Sequence, residues 1–162
     1  MDNHKLRDNA DSYCKLSGSK LITNPALGHG TDGSVWRTNS ETAVKAFYHA
    51  KNFADELECY RRLEMENVTE ILSLAVPALE GSSEEFLVIE MSIVQKPYLL
   101  DFGKVYIDRP PPYAGDIQLL NNWHAEVREL FEDRAPDVHS VLHVLKKMGI
   151  HYVDPKPANI CF

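Results

Sequence analysis

Apolar residues recur along this chain with two different periods. Phe53, Leu57, Tyr60 and Leu63 fall three or four residues apart, which predicts a helix over about 50–66. Ile117, Leu120, Val127, Leu130 and Phe131 predict a second amphipathic helix over 115–132. Val138, Val141, Leu142, Leu145 and Met148 predict a third, with Asp137 as its N-cap and Gly149 as its stop. Runs rich in β-branched and aromatic residues predict strands near 20–28, 33–38, 42–49, 77–80 and 85–93. Gly81-Ser82-Ser83 reads as the turn between the last two. Lys96-Pro97 breaks the strand that precedes it, and 98–107 has the composition of one more. Arg109-Pro110-Pro111-Pro112-Tyr113 reads as a stiff linker into the second helix. Residues 1–19 are polar and weakly periodic, so a loose arm or a short packing helix is expected there. Trp36 and Trp123 read as packing residues, and the chain has no internal repeat.

At 162 residues and 44% hydrophobic, the chain can bury one ordinary core plus a small helical appendage. A net charge of −7 with no basic patch argues against nucleic acid as a partner. Cys14, Cys59 and Cys161 are few, odd in number and far apart, as in a reducing compartment. The polar N-terminus and the lack of a long apolar run predict a soluble, cytoplasmic protein that engages no membrane. His139 and His143 lie four apart on a helix, but no H-E-x-x-H accompanies them, so they read as a surface or partly buried pair.

The chemistry concentrates in Leu27-Gly28-His29-Gly30-Thr31-Asp32-Gly33-Ser34-Val35 and in Ala43-Val44-Lys45. A G-x-G-x-x-G run lets backbone approach phosphates. A dinucleotide site would need a helix to open directly after it. Here strand-like residues and the turn-like Thr38-Asn39-Ser40-Glu41 follow instead, so the glycines lie in a hairpin with Lys45 on its second strand. This pattern resembles the phosphate-covering loop and strand lysine of protein kinases.

Further residues follow in the same order. Glu56 takes the place of the helix glutamate that pairs with the lysine; Glu58 competes, but would point roughly 200° away at 3.6 residues per turn. Phe86-Leu87-Val88-Ile89-Glu90-Met91 resembles the strand entering a kinase hinge, which would put Ile89 at the gatekeeper position and Glu90 and Met91 beside the adenine. His151-Tyr152-Val153-Asp154-Pro155-Lys156-Pro157-Ala158-Asn159-Ile160 is similar to the catalytic loop, with Asp154 as base, Lys156 on the phosphoryl group and Asn159 on magnesium. Tyr152 and Val153 stand where that motif has His and Arg, and His151 is one residue early, so control by activation-loop phosphorylation is not expected.

The resemblance covers residues 20–92 and 138–162. Asp101-Phe102-Gly103 spells the kinase metal-binding triplet, but it precedes the catalytic loop, and the primary reading is a structural bend. In a second reading Asp101 or Asp108 supplies a carboxylate for magnesium beside Asn159. The sequence ends soon after Asn159 and is similar to short bacterial kinase-like proteins, so a naturally short chain is expected. The resemblance implies an α+β fold: an arm over 1–19, a kinase-like amino-terminal lobe over 20–93 (a twisted antiparallel sheet plus one helix) and a reduced helical part over 94–162. It implies ATP under Gly28, Gly30, Gly33 and Val35, magnesium, and transfer of the γ-phosphoryl group to a hydroxyl on a protein Ser/Thr or a small molecule. The alternatives are a pseudokinase-like binding or regulatory module without turnover, because no D-F-G follows Asn159, and nucleotidyl transfer on the same scaffold. A homodimer or protein partner is expected to cover an apolar surface near Ile160 and Phe162.

Overall fold

The computed structural model describes residues 3–162. The chain opens with helix α1 (Asn3–Ser17), whose Leu6, Ala10, Tyr13 and Cys14 share one buried stripe. Of the two readings for 1–19, the packing helix is what forms over the described part. Strands β1 (Leu21–Ile22), β2 (Gly28–His29), β3 (Gly33–Thr38) and β4 (Thr42–Phe47) follow, and α2 (Ala50–Met65) comes next. Then come β5 (Glu70–Ile71), β6 (Leu74–Ala75), β7 (Leu79–Ser83), β8 (Val88–Ser92), β9 (Tyr98–Leu99) and β10 (Val105–Ile107). Helices α3 (Ile117–Phe131) and α4 (Ala135–Lys147) precede β11 (Ile150–Tyr152) and β12 (Ile160–Cys161).

The main antiparallel sheet runs β1-β3-β4-β8-β7, with β2 also on β3. Its central strand β4 is covered on both faces. Val44 and Ala46 pack with Trp36 and Val88 against α1, whereas Ala43 and Phe47 face α2. That period-2 alternation fixes where Lys45 points. The helix face of α2 buries Phe53, Glu56, Leu57, Tyr60 and Leu63. The fold is α+β: an antiparallel sheet with a helix packed on each face, followed by a smaller, mainly helical part.

Two smaller sheets complete the chain. One has the order β12-β9-β6-β5, and the other pairs β10 with β11. Residues 98–107 were expected as one strand. They form two, because Asp101 takes a left-handed φ of 57° that no pleated strand accommodates. Gly81-Ser82-Ser83, expected as a turn, is strand instead, paired with Glu90, Ile89 and Val88. Asp137 does not cap α4: the helix begins at Ala135, with Pro136 in the first turn where a missing N–H is harmless, and Asp137 binds Arg134. Asp116 is the cap that forms, accepting from the backbone N–H groups of Gln118 and Leu119. Ile160 is 1% exposed and packed in the core, so the expected apolar surface there fails at that residue. Phe162 is 38% exposed, with the Arg134 guanidinium over its ring. Among the described residues no helix is long and apolar enough to cross a membrane.

Candidate functional site

A cleft of about 580 Å³ opens between the main sheet and the residues around β9, β11 and β12. Gly28, Gly30, Gly33 and Val35 line it from the glycine loop. The three glycines differ in kind. A Cβ on Gly33 would stand inside the carbonyl of Ala46, so β3 and β4 can close only on glycine there. A Cβ on Gly28 would meet nothing within 4 Å, so packing does not require glycine at this cleft-lining position.

Lys45 is the centre of the site. Its Nζ donates to Glu56 Oε2 at 2.7 Å and to Asp101 Oδ1 at 2.6 Å. Glu56 is 0% exposed and its second oxygen, Oε1, has no hydrogen-bond partner among the described residues. Burial therefore pushes the Glu56 carboxyl up to about 7, against the pull of the Lys45 charge. Lys45 is itself buried, which disfavours its charge, but the two carboxylates outweigh that and hold its pKa above the ordinary lysine value. The competing Glu58 points away and accepts from Arg62 Nε at 2.9 Å.

The Asp101-Phe102-Gly103 triplet forms the expected bend, with Asp101 at a φ of 57°, and also reaches into the core and the cleft. Phe102 is 0% exposed, edge-on to Tyr60 of α2 with centroids 5.4 Å apart and to Tyr152 of β11 at 6.1 Å. That anchoring turns Asp101 onto Lys45. The triplet meets the catalytic-like loop because β9 pairs antiparallel with β12, Leu99 opposite Ile160. The Leu100 N–H donates to the Asn159 carbonyl at 2.7 Å, which brings Asp101 and Asn159 to the same end of the cleft. Asp108, the other carboxylate considered for a metal, is excluded. Both of its oxygens take 2.7 Å bonds from Arg62, and it lines a separate groove.

Asp154 and Lys156 line the cleft opposite the glycine loop. Asp154 lies 2.8 Å from Lys156 Nζ and 3.1 Å from Lys104 Nζ. Partial burial raises its pKa, but the two lysine hydrogen bonds together prevail and hold it below the ordinary carboxylate value. Trp123 Nε1 donates to the Val153 carbonyl at 3.1 Å and Asn159 Nδ2 to Tyr152 Oη at 3.1 Å, which fixes the loop.

Two expected hinge residues lie elsewhere. Ile89 pairs with Lys45 but is 0% exposed in the core, and Glu90 faces α1, where it accepts from Tyr13 Oη at 2.9 Å and Thr42 Oγ1 at 2.5 Å. Of the expected hinge residues Met91, opposite Ala43, does line the cleft, and Ser92, Ile93 and Val94 continue the lining. The strand thus enters the cleft two residues later than expected. Asp32 and Lys104 are site residues that sequence reasoning missed, although each adjoins a motif glycine. His139 and His124 lie with rings 4.9 Å apart beside Trp123; among the described residues no group of three or more His, Cys, Asp or Glu could hold a metal unaided.

No family model matches the sequence, and no curated protein matches it. Among solved structures, a match is the streptomycin-ATP-APH(2")-IIa ternary complex, at 22% identity over 54% of this chain, with a TM-score of 0.41. The chain covers 28% of that structure's chain.

Proposed function

We propose that the cleft binds ATP with magnesium and that the chain is a kinase-like phosphotransferase acting on a hydroxyl acceptor. The observation that carries this reading is the Lys45 ammonium, within 2.7 Å of both Glu56 and Asp101, in a cleft that also contains the glycine loop, Asp154, Lys156 and Asn159. A purely structural core has no use for one buried lysine bound to two carboxylates beside an open cleft.

Each group has a task in this reading. The Gly28 and Gly30 backbone lets phosphates approach, and Lys45 turns from Asp101 toward them while Glu56 keeps it in place. Asp101 and Asn159 would hold magnesium together with phosphate oxygens; the donor set is oxygen-rich, as this ion requires. When bound, magnesium would offset the charge of the phosphates. Asp154 accepts the hydrogen bond of the acceptor hydroxyl and aims its oxygen at the γ-phosphorus. The new P–O bond forms as the bond to the ADP oxygen breaks, and the hydroxyl proton passes to Asp154 or water. Because Asp154 is an acid of low pKa, it orients the nucleophile more than it deprotonates it. Lys156 offsets charge on the transferred group. The inactive-module alternative drew its force from the lack of a D-F-G after Asn159; a carboxylate reaching Lys45 from the preceding triplet weakens it.

Calorimetric titration with ATP, with and without magnesium, tests the reading. Wild type should bind ATP with magnesium and Lys45→Met should not. Asp154→Asn should keep ATP binding and lose transfer to an acceptor by ~10³-fold. Binding unaffected by loss of Lys45 would overturn the assignment.

A further inference from the structure

We propose that Asp32, in the glycine loop, makes nucleotide binding conditional on a divalent cation by turning a third carboxylate onto the Lys45 site. The inference rests on the nucleotide reading above. Asp32 is held once through its backbone and once through its side chain. Its backbone carbonyl accepts from the Tyr48 N–H at 3.0 Å, and Oδ1 accepts from Asn52 Nδ2, in the first turn of α2, at 2.6 Å. The other oxygen turns toward Gly103. A Cβ built on Gly103 would lie 2.9 Å from Asp32 Oδ2, 3.0 Å from Asp101 Oδ1 and 3.6 Å from Lys45 Nζ. Two carboxylate oxygens and one ammonium thus converge on the space that only a glycine leaves open.

The charge balance there is lopsided. Lys45 already serves the buried Glu56 and Asp101. With Asp32 added, three carboxyl groups face one ammonium where the polyphosphate would lie, Asp32 and Asp101 carrying the charge while Glu56, raised to about 7, carries only part of its own. Lys104 and Lys156 both bind Asp154, and Lys156 also lies within electrostatic reach of Asp101 and Asp32, so its single charge is divided among three carboxylates. A bare polyphosphate entering under the glycine loop meets net negative charge in a partly water-excluded cleft, where like charges repel strongly. A metal-loaded nucleotide carries cationic charge to that spot, and the carboxylates then attract it. Asp32 therefore discriminates between the free and the cation-bound forms of one nucleotide, through the same loop that covers the phosphates.

The test compares wild type and Asp32→Asn by calorimetry, with ATP in EDTA and ATP in excess magnesium. Asparagine keeps a carbonyl for Asn52 and removes only the charge. Wild type should prefer the magnesium form, and the ratio of the two affinities should fall about tenfold in the variant, chiefly through tighter binding in EDTA. Asp32→Ser supplies the same readout should the amide disturb the loop, and Asn52→Ala, which keeps the charge, should retain the preference. An unchanged ratio in both charge-removing variants, with magnesium-ATP still bound, overturns the role of Asp32 alone. Failure of wild type to bind ATP in either buffer overturns the nucleotide reading and this inference with it.

Discussion

Truncating Phe102 to alanine should unfold this chain far more readily than an ordinary loop substitution. The ring is 0% exposed, and its neighbours Tyr60 and Tyr152 come from α2 and β11, elements that reach it from distant parts of the sequence. Phe→Ala at such a site loses the transfer free energy of the ring and leaves a cavity, together 3–5 kcal/mol in well-packed cores. Two edge-to-face partners place this site in the upper half of that range, at about 4 kcal/mol. For a chain of this size each kcal/mol shifts Tm by roughly 2–4 °C, so a fall of roughly 8–16 °C is expected. Phe102→Leu keeps most of the volume and should lose only about 1–2 kcal/mol. Urea unfolding of the three proteins measures these differences, provided the slope m stays constant. A solvent-exposed bend would lose under about 0.5 kcal/mol. A Phe102→Ala loss below about 1 kcal/mol would refute the argument that this ring anchors Asp101 at the cleft.

Three other outcomes follow from the same site. Glu56 is raised to about 7 by burial, so the folded chain holds a proton that the unfolded chain releases near the ordinary value. Its contribution to stability is therefore complete in acid and lost as pH rises through about 7. Lowered pKa values at His139 and His151, from burial first, act in the opposite sense, their contribution being lost as pH falls below the ordinary histidine value. Comparing wild type with Glu56→Gln cancels the histidines, and the difference should move by about 2 kcal/mol against wild type between pH 5 and 7, at up to 1.36 kcal/mol per pH unit. Parallel pH curves would count against the burial argument. Gly33→Ala should destabilise by about 2 kcal/mol or more because the Ala46 carbonyl is backbone and cannot yield, whereas Gly28→Ala, with open space around it, should leave thermal unfolding within about 0.5 kcal/mol. Equal effects at the two glycines would contradict the division between packing and cleft.

Much of the site was legible because periodicity alone aims side chains. Alternation along β4 turns Lys45 away from α1, and helical spacing in α2 puts Glu56, not Glu58, on the buried face. The hinge was misread for a related reason. β8 is buried on both faces, so its apolar run carries no alternation from which to take a register. Glu90 attracted attention as a polar residue in that run, yet its partner Tyr13 stands 77 residues away, on a helix whose packing no local pattern reveals. Turn chemistry at Gly81-Ser82-Ser83 was overridden by pairing with β8, a gain that lies outside the segment itself. Asp32 and Lys104 were passed over because neither residue type is demanded by its neighbours; only the folded cleft gives them partners.

Sequence order made a structural bend the primary reading of Asp101-Phe102-Gly103; the fold has that bend and also brings Asp101 to Lys45. A cleft requires groups to be near one another, and antiparallel ladders impose proximity without fixing which strand comes first. Here β9 pairs with β12 and β10 with β11, so the triplet between β9 and β10 is held against the loop between β11 and β12 from both sides. The two ladders are joined by the long excursion through α3 and α4 in place of a short turn. Lengthening such a connection adds only about 0.6 kcal/mol of closure entropy per doubling, which one well-buried aromatic offsets several times over. The added sequence separation bears more on folding rate than on stability. A motif read along the chain is therefore a statement about connectivity, while the chemistry at Lys45 answers only to which carboxylates the ladders bring within reach.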